Sequence, residues 1–106
     1  MLKKPSDLKQ ISIDDAIADL GLPKSAKFIG YAIHRPDTEE FAVRAIENDH
    51  ESLWAWHQHP QMAKLFNDYP DAYEIASKYT KAPVIVGLIF DMGTHLFFAA
   101  QTSQNS

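Results

Sequence analysis

Cysteine is absent from this 106-residue chain. Disulfides, thiolate catalysis and cysteine-ligated zinc are therefore excluded, and a reducing compartment suits the sequence. No apolar run approaches the roughly 18 residues that a membrane-spanning helix needs. Lys3 and Lys4 are followed by no apolar stretch, so no signal peptide is expected and the cytoplasm is the expected location. An excess of positive charge is also missing, because the net charge is −4. Phosphate neutralisation supplies most non-specific nucleic-acid affinity, so nucleic-acid binding is not expected. The four glycines, Gly21, Gly30, Gly87 and Gly93, are isolated and make no phosphate-cradling loop. Ser52 and Ser77 lack the flanking glycines of a nucleophile elbow.

The length fits one domain over residues 1–106, with loose tails at 1–10 and 101–106. Ile13, Ala16, Ile17 and Leu20 recur at helical spacing. Ser12 is the expected N-cap, Asp15 complements the helix dipole, and Gly21 is the expected C′ residue. Lys27 to Arg35 reads as a strand with Ile29, Tyr31 and Ile33 on one face and Gly30, Ala32 and His34 on the other. After the Arg35-Pro36-Asp37-Thr38 turn, Phe41, Val43 and Ala45 alternate with Ala42, Arg44 and Ile46, as in a second antiparallel strand. Helices are expected over 50–58, 60–67 and 70–79, the first capped by Asp49 and the second opened by Pro60. Val84 to Phe90 and Leu96 to Ala100 flank an Asp91-Met92-Gly93-Thr94 turn and form a hairpin. The expected fold is α+β, in the order α-β-β-α-α-α-β-β. Two hairpins give an antiparallel four-stranded sheet with helices packed on one face.

That last hairpin is apolar on both faces. Val84, Val86, Leu88 and Phe90 point one way, Ile85 and Ile89 the other, and Phe97 opposes Leu96 and Phe98. A single helical layer covers only one face, and the other face of an antiparallel sheet normally alternates to polar residues. Covering loops or a ligand pocket can account for the surplus. The favoured expectation is a homodimer through the 84–98 hairpin.

Four groups of residues invite a functional reading. Residues 49–59 hold His50, His57 and His59 and both tryptophans. Their histidines do not match the spacing of a helical zinc site, and no metal is expected. Trp54 and Trp56, two apart, diverge by about 200° on a helix, so one is expected to be exposed as a partner or ligand anchor. Acidic neighbours of His34, His50, His57 or His95 are candidate acid–base partners, with Asp91 and His95 flanking one turn. Nine of the twelve aromatics (Tyr31, Trp54, Trp56, Phe66, Tyr69, Tyr73, Tyr79, Phe97 and Phe98), with Glu39, Glu40, Asp68 and Glu74 nearby, supply the makings of a core or of a cage for an organic cation. Six acids lie between residues 37 and 51 with only Arg44 against them, an acidic stretch suited to a basic partner.

The leading expectation is a non-enzymatic interaction protein of inhibitor or immunity type. Its binding residues are Trp54, Trp56, His57, His59, Glu39 and Glu40, presented to a protein partner, and no cofactor is expected. The alternatives are a small-molecule binder with an aromatic pocket and acidic rim, and a small enzyme using a His/acid pair.

Overall fold

The structure, a computed structural model, describes residues 13–100, with the backbone alone at residues 14–16. Its elements are α1 (Ile13–Asp19), β1 (Lys27–Arg35), β2 (Glu40–Glu47), β3 (Ser52–His57), a 3-10 turn (Pro60–Met62), α2 (Tyr69–Ser77), β4 (Ile85–Asp91) and β5 (Leu96–Ala100). The strands form one antiparallel sheet in the order β3-β2-β1-β4-β5. The α+β class holds, but the sheet has five strands rather than four. Among the described residues, no helix is long and apolar enough to cross a membrane.

α1 closes as the sequence implies. Gly21 takes φ 68°, its N–H donates to Ala18, and the Leu22 N–H donates to Ile17. This double closure needs a left-handed residue, and glycine supplies one without strain. Ile13 and Ile17 pack beside Leu88 and Phe90, while Leu20 is exposed. Ser12, the Asp15 side chain and both tails lie outside the described residues.

Residues 50–58 are not a helix. Asn48 Oδ1 accepts the N–H groups of His50 at 2.8 Å and Glu51 at 2.9 Å, and the Asn48 N–H donates to the Glu51 carbonyl at 2.9 Å. An asparagine that satisfies two downstream amides in this way competes with a helical start and sets a turn. The chain therefore doubles back, and β3 pairs with β2 from Glu47↔Ser52 to Phe41↔His57. Alternation in Leu53-Trp54-Ala55-Trp56 then sets the faces.

The 60–67 helix reduces to one 3-10 turn, after which the chain extends and enters the sheet. β1 and β2 pair only at His34↔Phe41 and Arg35↔Glu40. Into the gap beyond runs residues 64–66. The Lys64 N–H donates to the Ala42 carbonyl at 2.9 Å, and Tyr31 and Phe66 exchange hydrogen bonds at 2.9 and 2.8 Å. Leu65 crosses Gly30, where an added Cβ would meet Leu65 Cβ at 3.0 Å and where φ is 156°. Backbone groups that a helix would have satisfied internally are satisfied here by the two strands.

This crossing covers both faces of the sheet. On the helical face, Ile33, Ala42, Ala45 and Val86 pack with Tyr69, Ala72 and Ala76 of α2. Asp68 caps α2 by accepting the Asp71 N–H at 2.9 Å. On the opposite face, Ala63 packs with Ala32, Phe41 and Ile89. Ile89 is 0% exposed, so the second face of the last hairpin is covered from within the chain at that point. Leu96 and Phe98 join the same cluster and stay half-buried. One facing assignment needs correction. A bulge between Ala42 and Arg44 breaks the alternation of β2, so Phe41 and Ala45, expected together, lie in clusters on opposite faces.

Gly87 is a close-approach position between β4 and β5. A Cβ there would stand 2.5 Å from the Ala99 carbonyl oxygen and 2.5 and 2.6 Å from Phe98 ring carbons. Backbone on one side and a ring on the other cannot both yield. Gly87→Ala is expected to cost about 1–3 kcal/mol of stability by overpacking, measured as a lower urea midpoint. An unchanged midpoint would contradict this packing.

Candidate functional site

Of the sequence-predicted residues, Trp56, His57, His59, Glu39 and Glu40 lie near one end of the sheet, on two faces, and Trp54 stands further along β3 toward Glu47. On the helical face, Trp54 and Trp56 point the same way because they are two apart on a strand, not on a helix. Their rings stack with centroids 5.8 Å apart and planes 13° from parallel. Tyr79, just beyond α2, crosses both at 4.6 and 5.2 Å. Neither indole is fully exposed; both are half-buried. Glu47 Oε1 accepts the Trp54 Nε1–H at 3.0 Å and the Ser52 hydroxyl at 2.7 Å, and these two donors hold the Glu47 carboxyl below its ordinary range. Arg35 completes the ledge. Its guanidinium lies 5.8 Å from the Trp56 ring, donates to the Tyr79 hydroxyl at 3.2 Å, and makes a two-pronged contact with Asp37 at 2.8 and 3.3 Å. Sequence reasoning missed Arg35 and counted Tyr79 only among the nine aromatics of a core or cage. Arg35 carries a weak signal, since a strand-end arginine followed by Pro-Asp sits beside whatever the next strands present.

On the opposite face the paired positions Ile85, His34, Phe41 and His57 form a row across four strands. His34 is 8% exposed. Its ring lies between Phe41 at 4.8 Å and Phe98 at 4.9 Å. Nε2 is 3.3 Å from Glu39 Oε2, and Nδ1 is buried without a hydrogen-bond partner. Burial lowers the His34 pKa, against the smaller opposing pull of Glu39. Glu39 reaches this face from a left-handed backbone at φ 57°, unusual for a residue with a Cβ. Its side chain is 80% exposed.

His57 and His59 stand at the same end, with rings 5.2 Å apart, and the His59 N–H donates to His57 Nδ1 at 3.1 Å. Glu40 pairs with Arg35 across the β1–β2 turn. His50 lies in the turn that precedes β3, at the other end of that strand from His57. Asp91 and His95 serve their turn. Asp91 accepts the Gly93 N–H at 2.8 Å, and His95 Nδ1 meets the Thr94 hydroxyl at 3.0 Å. Among the described residues, no three His, Asp or Glu side chains converge as a metal site.

The two larger groupings fare differently. Eight of the nine aromatics pack on the helical side, where Tyr31 meets Tyr69 and Tyr69 meets Tyr73, and Phe98 alone lies on the other face, beside Phe41. The acids at 37–51 divide. Asp37, Glu39 and Glu40 lie at one end of the eight-residue β2, and Glu47, Asp49 and Glu51 at the other. At strand rise the two groups stand roughly 20–25 Å apart.

The buried imidazole makes a signed prediction. A histidine whose folded pKa is lowered takes up its proton more readily in the unfolded chain. Its contribution to stability is present above the ordinary value of about 6.5 and is lost as pH falls through it toward the folded pKa. Thermal unfolding is expected to show a falling Tm over that range, and His34→Leu is expected to flatten the slope. A slope that His34→Leu leaves intact would assign it to other groups. No protein-family model, no curated protein and no solved structure matches this chain, so its role rests on the geometry of these two clusters.

Proposed function

We propose that this chain is a non-enzymatic binding protein that docks a basic protein partner on the Trp54–Trp56–Tyr79 ledge, in an inhibitor- or immunity-type role. The observation that supports it is the stacked, half-buried indole pair, clamped by Glu47 and Tyr79 at the rim of the sheet. Rigid aromatic anchors lose little conformational freedom on binding and dominate interface energetics. Carboxylates stand at both ends of β2, the strand next to the β3 edge, and favour encounter with positive charge. His57, His59, Glu39 and Glu40 belong to the surface that such a partner meets at one end. Glu39 and Glu40 flank Arg35 and His34 there, so the rim offers both charge and ring surface.

A second reading, acid–base catalysis by His34, is favoured by its 3.3 Å contact with Glu39. A catalytic imidazole must be reachable by small reagents. Site-resolved modification with diethyl pyrocarbonate that spares His34 while labelling His50, His57 and His59 would sink that reading.

Both tryptophans of the chain sit on the ledge, so tryptophan fluorescence, excited selectively over tyrosine, reads this site alone. Titration with extended lysine- and arginine-bearing peptides is expected to give a saturable change, with acidic peptides giving none. Trp56→Ala is expected to weaken the response about tenfold or more, the usual loss for an anchor residue. A wild-type chain silent to every basic peptide would overturn the reading.

A further inference from the structure

β3 is an edge strand with an open outer side. Among the described residues it pairs with β2 alone. Its six residues, Ser52-Leu53-Trp54-Ala55-Trp56-His57, include no Asp, Glu, Lys, Arg or Pro. Exposed edges normally carry such residues, because bare backbone groups template further pairing. Leu53 is 38% exposed and adds apolar surface beside Ile46, its partner on β2.

The register says which backbone groups are free. The Asn48 N–H to Glu51 carbonyl bond marks that pair as hydrogen-bonded. Inward pairs alternate from there, so Leu53 and Ala55 turn their N–H and C=O groups toward β2. Ser52, Trp54 and Trp56 turn theirs outward.

We infer that β3 pairs antiparallel with β3 of a second copy of this chain, about a twofold axis at Trp54, to make one continuous ten-stranded sheet. Outward residues must face outward residues, which limits the register to a few choices. The one centred on Trp54 sets Ser52 against the partner's Trp56 and overlaps residues 51–57 in both copies. It also sets Glu51 against the partner's His57, twice by symmetry. Glu51 is exposed, and His57 spends Nδ1 on the His59 N–H, which leaves Nε2 as the donor. A carboxylate therefore meets an imidazole N–H at each end of the seam. Directly opposite positions of opposite character reinforce strand pairing, and like charges there oppose it. Self-complementarity about an axis is the requirement of an isologous interface. The charge sequence of this edge meets it, acid before the strand and histidine at its end. The two indole ledges then join on one face across the axis. The pairing rests on the edge of β3 and not on the partner reading, and a monomer that still answers basic peptides would separate the two.

Sedimentation equilibrium at neutral pH tests it. The wild-type chain is expected to be a dimer at micromolar to sub-millimolar concentration. His57→Glu, which faces Glu51 with a like charge, is expected to weaken the dimer tenfold or more. The double variant Glu51→Lys with His57→Glu is expected to restore it. Amide exchange adds a readout that does not depend on a variant. The Trp54 and Trp56 amides are expected to be protected in concentrated protein and to exchange freely on dilution. A monomer mass throughout overturns the pairing and leaves the edge to a strand of another protein. A dimer that His57→Glu leaves unchanged, with Trp54 and Trp56 amides exchanging freely, puts the contact elsewhere, such as the 84–98 hairpin, and also overturns it.

Discussion

The passage of residues 64–66 between β1 and β2 is the constraint on which the rest depends. A sheet face with no cover exposes apolar side chains, and among the described residues one short stretch between strands lies over the second face. By crossing the sheet, it spends Ala63 on one side and delivers α2 to the other. The crossing has a cost, since β1 and β2 give up ladder bonds beyond two registers. Tyr31, Phe66, Lys64 and Ala42 recover them with the inserted segment. Each bond contributes about 1 kcal/mol net, whereas an unpaired buried amide or carbonyl costs about 1–3 kcal/mol. The exchange is therefore close to neutral in hydrogen bonds, and the gain lies in apolar cover. The crossing leads directly into the start of α2, and beyond the far end of that helix Tyr79 meets the indoles.

Much of this architecture is legible in the residues, and the illegible part has a physical reason. The last hairpin, β1 and α1 follow from local periodicity and turn chemistry, which report local structure well. Residues 50–58 do not, because an aspartate before an amphiphilic run signals a helix cap and a turn equally well. The decisive group is Asn48, whose side chain satisfies two amides. The Trp-x-Trp spacing held a clue. On a helix it scatters the two rings, and on a strand it stacks them, so two costly indoles are better served by the strand. The 64–66 crossing has no local signature at all. Its hydrogen-bond partners are some 20 to 35 residues distant in sequence, and only the assembled sheet offers them.

The candidate site was legible by residue type and not by grouping. Trp56, His57, His59, Glu39 and Glu40 come near one end of the sheet, because β3 runs back along β2 and brings His57 opposite Phe41, while Trp54 lies further along the strand, bonded to Glu47. The acidic stretch does not survive as a unit, since a strand in its middle carries its halves apart. His34 was placed correctly on the face opposite Ile33. Its burial was not foreseeable, because Phe98 arrives from the edge strand and rests on Gly87 to reach it.

The turn between β1 and β2 links the two clusters more directly than proximity does. His34 and Arg35 are neighbours on a strand, so they point to opposite faces. Each takes one acid from the same four-residue turn: Asp37 serves Arg35, and Glu39 serves His34. A single extended path cannot send both carboxylates to opposite faces within three residues. The left-handed backbone at Glu39 solves this, at a cost of about 1–2 kcal/mol. An exposed carboxylate recovers little of that from one histidine contact. The strain is therefore held by the pairing of Arg35 with Glu40 and of His34 with Phe41 on either side. Any event that moves Glu39, whether protonation at His34 or a partner at the rim, acts on the same turn that positions Asp37 and, through Arg35, the Tyr79 hydroxyl above the indoles.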